Sequence, residues 1–353
     1  MNFKNSIVFF IIFIIALFIF LNNSDNNKNN NRIFEFNYSA VFKKTDGKKF
    51  EAWIPYPQSN ETQHISNILI SLDLEYEILN ELKHGNKYIY IYNLEGLNQD
   101  VEFDMSFIVD RKEHSTISYN DIEESEYLKA SNQVPVGSIF SNIISENNLN
   151  SNNMRNVYDF VLDGMHYGKP TSKDNKYFNE PWLSDNELYG MKKVTRSDVL
   201  SYYKQADSLG STYTFGNGSS LYACDIGVGN CTDYHSYFIS LSRSMDIPAR
   251  FHMGFPISDQ EEGVVGGYHC WADYYIDGEG WSPVDISEAD KNLNKEDYFF
   301  GNVCNNRVEF MVGRDFELKN YNGIDVNILI YPIVEVDDVE SDNFTKSFYF
   351  KNL

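Results

Sequence analysis

Apolar and polar residues alternate with a period of two along FEFNYSAVF, KKFEAWIPY, YIYIYNL and VEFDMSFIV, all between Ile33 and His114. Successive strand side chains point to opposite faces, so this pattern predicts antiparallel strands with one face buried. Asp46-Gly47 and His84-Gly85-Asn86 fall between the runs, where tight turns need such residues. Residues 33–115 therefore read as an antiparallel β-domain, with a sandwich as its expected form. A polar stretch, residues 112–131, joins it to the rest of the chain.

The period then changes. MRNVYDFVLDGMHY, residues 154–167, places Val157, Val161 and Met165 on one helical stripe, and Gly168-Lys169-Pro170 ends it. Residues 231–245 form a second helix, with Tyr234, Tyr237, Phe238, Leu241 and Met245 at helical spacing and Ile247-Pro248 as its stop. Alternation returns in ARFHMGF, YHCWADYYI, GWSPVDI, RVEFMVG, VNILIYPIVEV and SFYF. Helices followed by an antiparallel sheet give an α+β class, with residues 116–353 as the second domain. No internal repeat is present.

The first 32 residues stand apart. Ile7 to Leu21 is an unbroken apolar run, short for a full membrane span and suited to a signal segment. No small-residue cleavage site comes after it, nor a cysteine for lipidation, which favours an uncleaved anchor over a cleaved signal. NNSDNNKNNNR reads as a flexible Asn-rich tether. The folded part is expected outside the cytoplasm, tied to a membrane by this segment.

Composition narrows the function. The chain has 353 residues and a net charge of -22, from 29 Lys+Arg against 51 Asp+Glu. That surface repels phosphate backbones, and no Lys/Arg cluster offsets it, so nucleic acid is excluded as a partner. Aromatic residues make up 16%, which favours strand-rich cores.

The remaining signal is in the cysteines: Cys224, Cys231, Cys270 and Cys304. Two disulfides are one reading in an oxidising compartment, although a chain this long has no need of staples. A zinc site from Cys224, Cys231, His235 and Cys270 is another, but short paired-ligand spacings are missing. A nucleophile is more specific. Cys231 comes after Gly229-Asn230 where a helix begins, and the free N–H groups and dipole of a first turn favour a thiolate. His269 opens a strand and supplies a proton shuttle, and Asp285 on the next strand can fix its tautomer. The loop Asp277–Gly280 makes the two strands a hairpin. Symmetric folding leaves His269 and Asp285 about three residues out of register, roughly 10 Å, so a bulge near Gly280–Pro283 is expected.

GNCTDYHSYFISLSRSMDIPARFHMGF, followed by GYHCWADYYIDGEGWSPVDISEADK, closely resembles the transglutaminase-like superfamily. The resemblance implies a papain-like fold, with Cys231 as nucleophile, His269 as general base and acid, and Asp285 as the orienting carboxylate. It covers residues 150–290, and the tail resembles the C-terminal β extension of bacterial extracytoplasmic members. It also implies an oxyanion hole using the Cys231 N–H and one donor among Tyr213, Tyr222 and Asn230. Trp271 and Trp281 read first as core packing and second as walls of a substrate cleft, for which Tyr222 is a further candidate. His235 and His252 read as structural or hydrogen-bonding groups and Asp233 as a capping residue. A Cys224–Cys270 disulfide would rigidify the catalytic histidine.

The expected activity is cysteine-dependent acyl transfer or hydrolysis of a peptide or carboxamide through a thioester on Cys231. Protein or cell-envelope peptide is the expected substrate, water the preferred acceptor, and no metal or cofactor is called for. A protein-crosslinking transglutaminase and a non-catalytic cell-envelope binding module are the alternatives. A donor thioester of the kind arylamine N-acetyltransferases use is disfavoured by the export segment.

Overall fold

The computed structural model describes residues 31–117, 124–168, 188–323 and 325–353. The Ile7–Leu21 run lies outside them. Among the described residues, no helix is long and apolar enough to cross a membrane.

Six strands come first: β1 (Arg32–Phe42), β2 (Phe50–Tyr56), β3 (Gln63–Leu72), β4 (Tyr76–Asn80), β5 (Lys87–Asn93) and β6 (Val101–Arg111). Helices α1 (Ile139–Glu146) and α2 (Met154–Gly164) lead to the short strand β7 (His166–Tyr167). Next come α3 (Arg196–Leu209), α4 (Ser220–Ile226), β8 (Val228–Gly229) and α5 (Cys231–Arg243). Strands β9 (Ala249–Pro256), β10 (Glu262–Val264), β11 (His269–Ile276) and β12 (Gly280–Val284) precede α6 (Ile286–Lys291). The chain ends with β13 (Arg307–Val312), β14 (Ile333–Val336), β15 (Val339–Glu340) and β16 (Phe344–Asn352).

These form an α+β fold with three large antiparallel sheets, in the orders β10-β16-β1-β6-β3, β15-β14-β2-β5-β4 and β12-β11-β9-β13. Phe34, Phe36, Tyr38, Ala40 and Phe42 of β1 are buried, the alternate positions less so, as the period-two pattern requires. The expected separation of residues 33–115 from the rest needs correction. Strand β16 pairs with β1 from Phe34↔Asn352 to Phe42↔Phe344, and β14 pairs with β2. Two N-terminal sheets are thus completed by the C-terminus, and Arg32–Leu353 is one compact unit. The physical reason is edge satisfaction: β1 and β2 would otherwise present unpaired backbone groups.

Phe348 of β16 stands at the junction, with ring centroids 4.3 Å from Phe255 of β9 and 4.8 Å from Tyr38 of β1. Phe348→Ala is expected to cost about 3–5 kcal/mol, lost from one cooperative unfolding transition of the whole unit. Urea unfolding followed by tryptophan fluorescence and circular dichroism checks this; a transition that splits in two would contradict it.

Helix α5 is the centre of the second half. All thirteen of its residues are buried, so the expected single apolar stripe understates its packing. Its polar positions are satisfied internally: Ser236 and Ser242 donate to the carbonyls of Thr232 and Phe238, each at 2.8 Å, and Ser240 donates to Ser220. This fixed helix meets β11 and β9 on one side and α2, α4 and α6 on others.

Candidate active site

The site begins where α5 begins. Asn230 is its N-cap, accepting from the Thr232 N–H at 2.9 Å, and Asp233 accepts from the Asn230 N–H at 3.0 Å. That capping box puts Cys231 at the first helical position, where its own N–H has no intrahelical acceptor. Asp233 also accepts from the N–H groups of Gly216 (2.9 Å) and Gly218 (3.0 Å). Burial pushes its carboxyl up to about 7 against the pull of these three amides. Gly229 must lack a side chain, because a Cβ there would lie 2.6 Å from Asp233 Cβ. Asp233 is thus the capping residue expected, and it also ties the 216–218 turn to the start of α5.

His269 is the first residue of β11, and Asp285 comes immediately after β12. The His269 Nε2 to Asp285 Oδ2 distance is 2.7 Å. His269 and the Cys231 thiol act on each other electrostatically, the thiol raising the ring and the ring lowering the thiol. The expected bulge does not exist: β11 and β12 pair without interruption from Ile276↔Gly280 to Ala272↔Val284. Pro283 needs no relief, because β12 is an edge strand. The offset is closed instead by Asp285 leaving the strand as the N-cap of α6, its Oδ1 accepting from the Glu288 N–H at 3.2 Å and from Ser287 Oγ at 3.1 Å.

Electrostatics favour an ion pair. The Cys231 thiol is held well below its ordinary value by hydrogen bonds from Cys270 and His269, against the effect of burial. Burial would lower His269, but Asp285 and the thiol raise it to about 10. Burial would raise Asp285, yet the cations around it hold its carboxyl well below the carboxylate range. Cys231, His269 and Asp285 therefore sit together as thiolate, imidazolium and carboxylate, with exposures of 3%, 4% and 0%.

His235 bridges the two halves of the site. Its Nδ1 lies 2.7 Å from the Cys231 carbonyl oxygen, and its Nε2 accepts the Ile286 N–H at 3.1 Å. That pairing sets Nδ1 as the donor, and burial lowers the ring to about 4, so it stays neutral. His252 lies between Asp273 and Glu309, 3.0 Å from each, in a hydrogen-bonding role.

Other expectations are corrected. Trp271, Trp281 and Tyr222 are at most 1% exposed and wall no open cleft. Trp271 stacks between His252 and His269, while Trp281 lies under Arg250. Tyr222 packs in a satellite cluster with Val194, Val199, Ile226 and Val228. All four cysteines are free, so Cys224–Cys270 is not a disulfide. Cys224 contacts Met191 Sδ at 3.1 Å, and Cys270 turns toward Thr232 and Cys231 because its strand face packs on α5. Among the oxyanion candidates Tyr213 donates to Asp225, Tyr222 is buried, and the Asn230 N–H and side-chain oxygen are taken up in the capping box.

One carboxylate group of metal-ligand spacing exists among the described residues, Glu51, Glu335 and Asp338, far along the chain from the cysteine site. The Lys49 ammonium already pairs with Glu51 and Asp338 there, so the countercharge is internal.

Arg307 was not foreseen. It donates from Nη1 to Asp285 Oδ2 at 2.9 Å. In sequence it belongs to RVEFMVG, where charged residues alternating with apolar ones read as solvent-facing. The Asp285→Ala change would therefore do more than misorient a base: it strips a buried guanidinium and a helix cap of their acceptor. We expect a stability loss of about 3–5 kcal/mol, seen in thermal or urea unfolding, with Asp285→Asn losing less.

Residues 192–286 match the model of the transglutaminase-like superfamily. An uncharacterized protein of Haemophilus influenzae is 23% identical over 364 residues, spanning 86% of this chain and 86% of that one. The crystal structure of a proposed cysteine protease from Cytophaga hutchinsonii is similar in fold, with a TM-score of 0.51 and 14% identity, over 90% of this chain and 98% of that one. Cys231, His269 and Asp285 lie in this order on helix, strand and strand end within the stretch, residues 192–286, that is similar to a transglutaminase-like core domain.

Proposed function

We propose that the protein is a cysteine-dependent hydrolase or acyltransferase that acts on a peptide or carboxamide bond through a thioester on Cys231. The observation that carries this is the His269–Asp285 pair, 2.7 Å apart, whose imidazole favours the thiolate of Cys231 at the N-terminus of α5. The Cys231 thiolate attacks the carbonyl carbon, and the resulting oxyanion is met by the Cys231 N–H. The imidazolium of His269 gives its proton to the departing amine nitrogen as the C–N bond breaks, leaving a thioester. His269, now neutral, takes a proton from the acceptor, whose oxygen or nitrogen displaces the thiolate. Asp285 keeps the ring oriented and stabilises its cationic form without taking up the reacting proton.

Water is the acceptor we favour, which makes the reaction hydrolysis; a lysine amine would make it crosslinking. The apolar Ile7–Leu21 run and the Asn-rich tether support a membrane-anchored or exported protein whose domain works outside the cytoplasm. Its substrate would then be a protein or a cell-envelope peptide.

The full chain, incubated with peptides and peptidoglycan fragments and quenched in acid, should carry a hydroxylamine-labile acyl mass on Cys231. Added primary amine should leave free acid as the main product if water is the acceptor. Ligand retention without any adduct on Cys231 would instead support a binding module on this fold.

A further inference from the structure

Two short buried contacts converge on one oxygen of Asp285. His269 Nε2 and Arg307 Nη1 both meet the same oxygen, Oδ2, at 2.7 and 2.9 Å. Arg307 is 2% exposed, its guanidinium lies 4.9 Å from the centroid of Trp271, and its second amino group donates to Cys304 Sγ at 3.3 Å. Trp271 in turn stacks on His269. The guanidinium is thus fixed on three sides. It reaches the site from β13, outside residues 192–286.

We infer that Arg307 is a positioning residue of the proposed cysteine site, pinning the Asp285 carboxylate against His269 and setting how strongly that carboxylate holds the imidazolium. This rests on the catalytic reading of Cys231 and His269. A rigid, planar donor is suited to the task, since it fixes the acceptor's direction as well as its charge. Its second effect is electrostatic. The two donors share one acceptor atom, so their separation cannot exceed the sum of the two bond lengths, and like charges that close disfavour one another.

Other groups facing the pair have their own compensation. From α5 come Cys231 and neutral His235; from α6, Glu288 and Lys291 pair with each other at 2.6 Å. Cys270 from β11 bonds to Cys231, and the Tyr158 hydroxyl from α2 donates to the Glu296 carbonyl. Among the described residues, Arg307 is the one guanidinium or ammonium in direct contact with Asp285.

The test is the pH dependence of Cys231 alkylation by iodoacetamide and of amide turnover, in wild type, Arg307→Met and Arg307→Lys. Removing the cation should move the alkaline limb, where the imidazolium is lost, upward by about one pH unit, while the misoriented carboxylate lowers turnover. Lysine keeps the charge but not the planar fork, so its limb should stay at the wild-type position while turnover still falls several-fold. A merely structural arginine would move neither limb. A folded Arg307→Met protein with wild-type limb and rate would overturn the inference. If that variant does not fold, Arg307→Lys decides it: unchanged turnover, or a displaced limb, would do the same. Failure of the catalytic reading is separate, because wild-type alkylation would then not depend on His269 at all.

Discussion

Cys231→Ala is expected to remove amide turnover by about 10⁴-fold or more and to abolish rapid alkylation by iodoacetamide near pH 7. The reasoning is positional. Three other thiols are present, but burial raises Cys224 to about 11 and holds Cys270 well above its ordinary range, and Cys304 accepts from Arg307 and begins no helix. Only Cys231 combines the first turn of a helix with an imidazolium partner. The substitution deletes one sulfur from a buried position, so the melting transition should survive and exclude unfolding as the cause. Intact-mass analysis of alkylated wild type and mutant is the measurement. Fast single-site labelling that persists in Cys231→Ala and vanishes in Cys270→Ala would refute the assignment.

His269→Ala should have the next largest effect. In the wild type the thiolate is sustained by the imidazolium, whose proton is held through neutral pH and lost as pH rises through about 10. Alkylation should therefore be nearly flat over roughly pH 6–9 and turnover should fall on the alkaline side. Without the ring, burial of the thiol is opposed by fewer charges, and its titration should return to roughly pH 8–9 or above. That lowers labelling at pH 7 by about 100-fold. The same linkage has a stability sign. A histidine raised above its ordinary value stabilises the fold fully below about pH 6.5, and this contribution is lost as pH rises through about 10. A rate for His269→Ala that matches wild type at pH 7 would contradict the ion-pair account.

The readable parts of this chain were those in which one local rule acted alone. Strands β1 and β6 keep an uninterrupted period of two and were legible, while β2 and β5, marked by aromatic residues between turns, are buried on both faces. Strand β3 was not legible: its pairing with β6 shifts between Ser66 and Leu69, around Asn67 at φ 52°, so Ile65 and Leu69 break the alternation. Helix α3 has a polar sequence with little stripe, although its capping box, Thr195 with Asp198, is a signal that marks its start. At the site, Cys231 could be placed from Asn230 and the helix that starts there, and the pairing of His269 with Asp285 from the family resemblance. The way the register gap is closed could not, because it depends on Asp285 turning out of the strand to cap α6. Arg307 was illegible for a related reason. Both faces of β13 are buried, so alternation no longer separates core from solvent, and a charged residue gives no sign of the carboxylate it meets across the fold.

The pairing of β1 with β16 has a consequence for how the protein is made. Phe34 and Asn352 are register partners, so β1 waits for a strand far along the chain. Until β16 arrives, β1 has β6 on one side and nothing on the other, and the Phe36–Phe255–Phe348 aromatic junction lacks its third member. A growing chain on the ribosome cannot close this sheet before residues 344–352 emerge, however early β1 is made. A polypeptide truncated before Phe344 would carry an intact Cys231–His269–Asp285 set in its sequence while exposing an open, aromatic strand edge. Such a chain is predisposed to aggregate rather than to accumulate as a partly active enzyme.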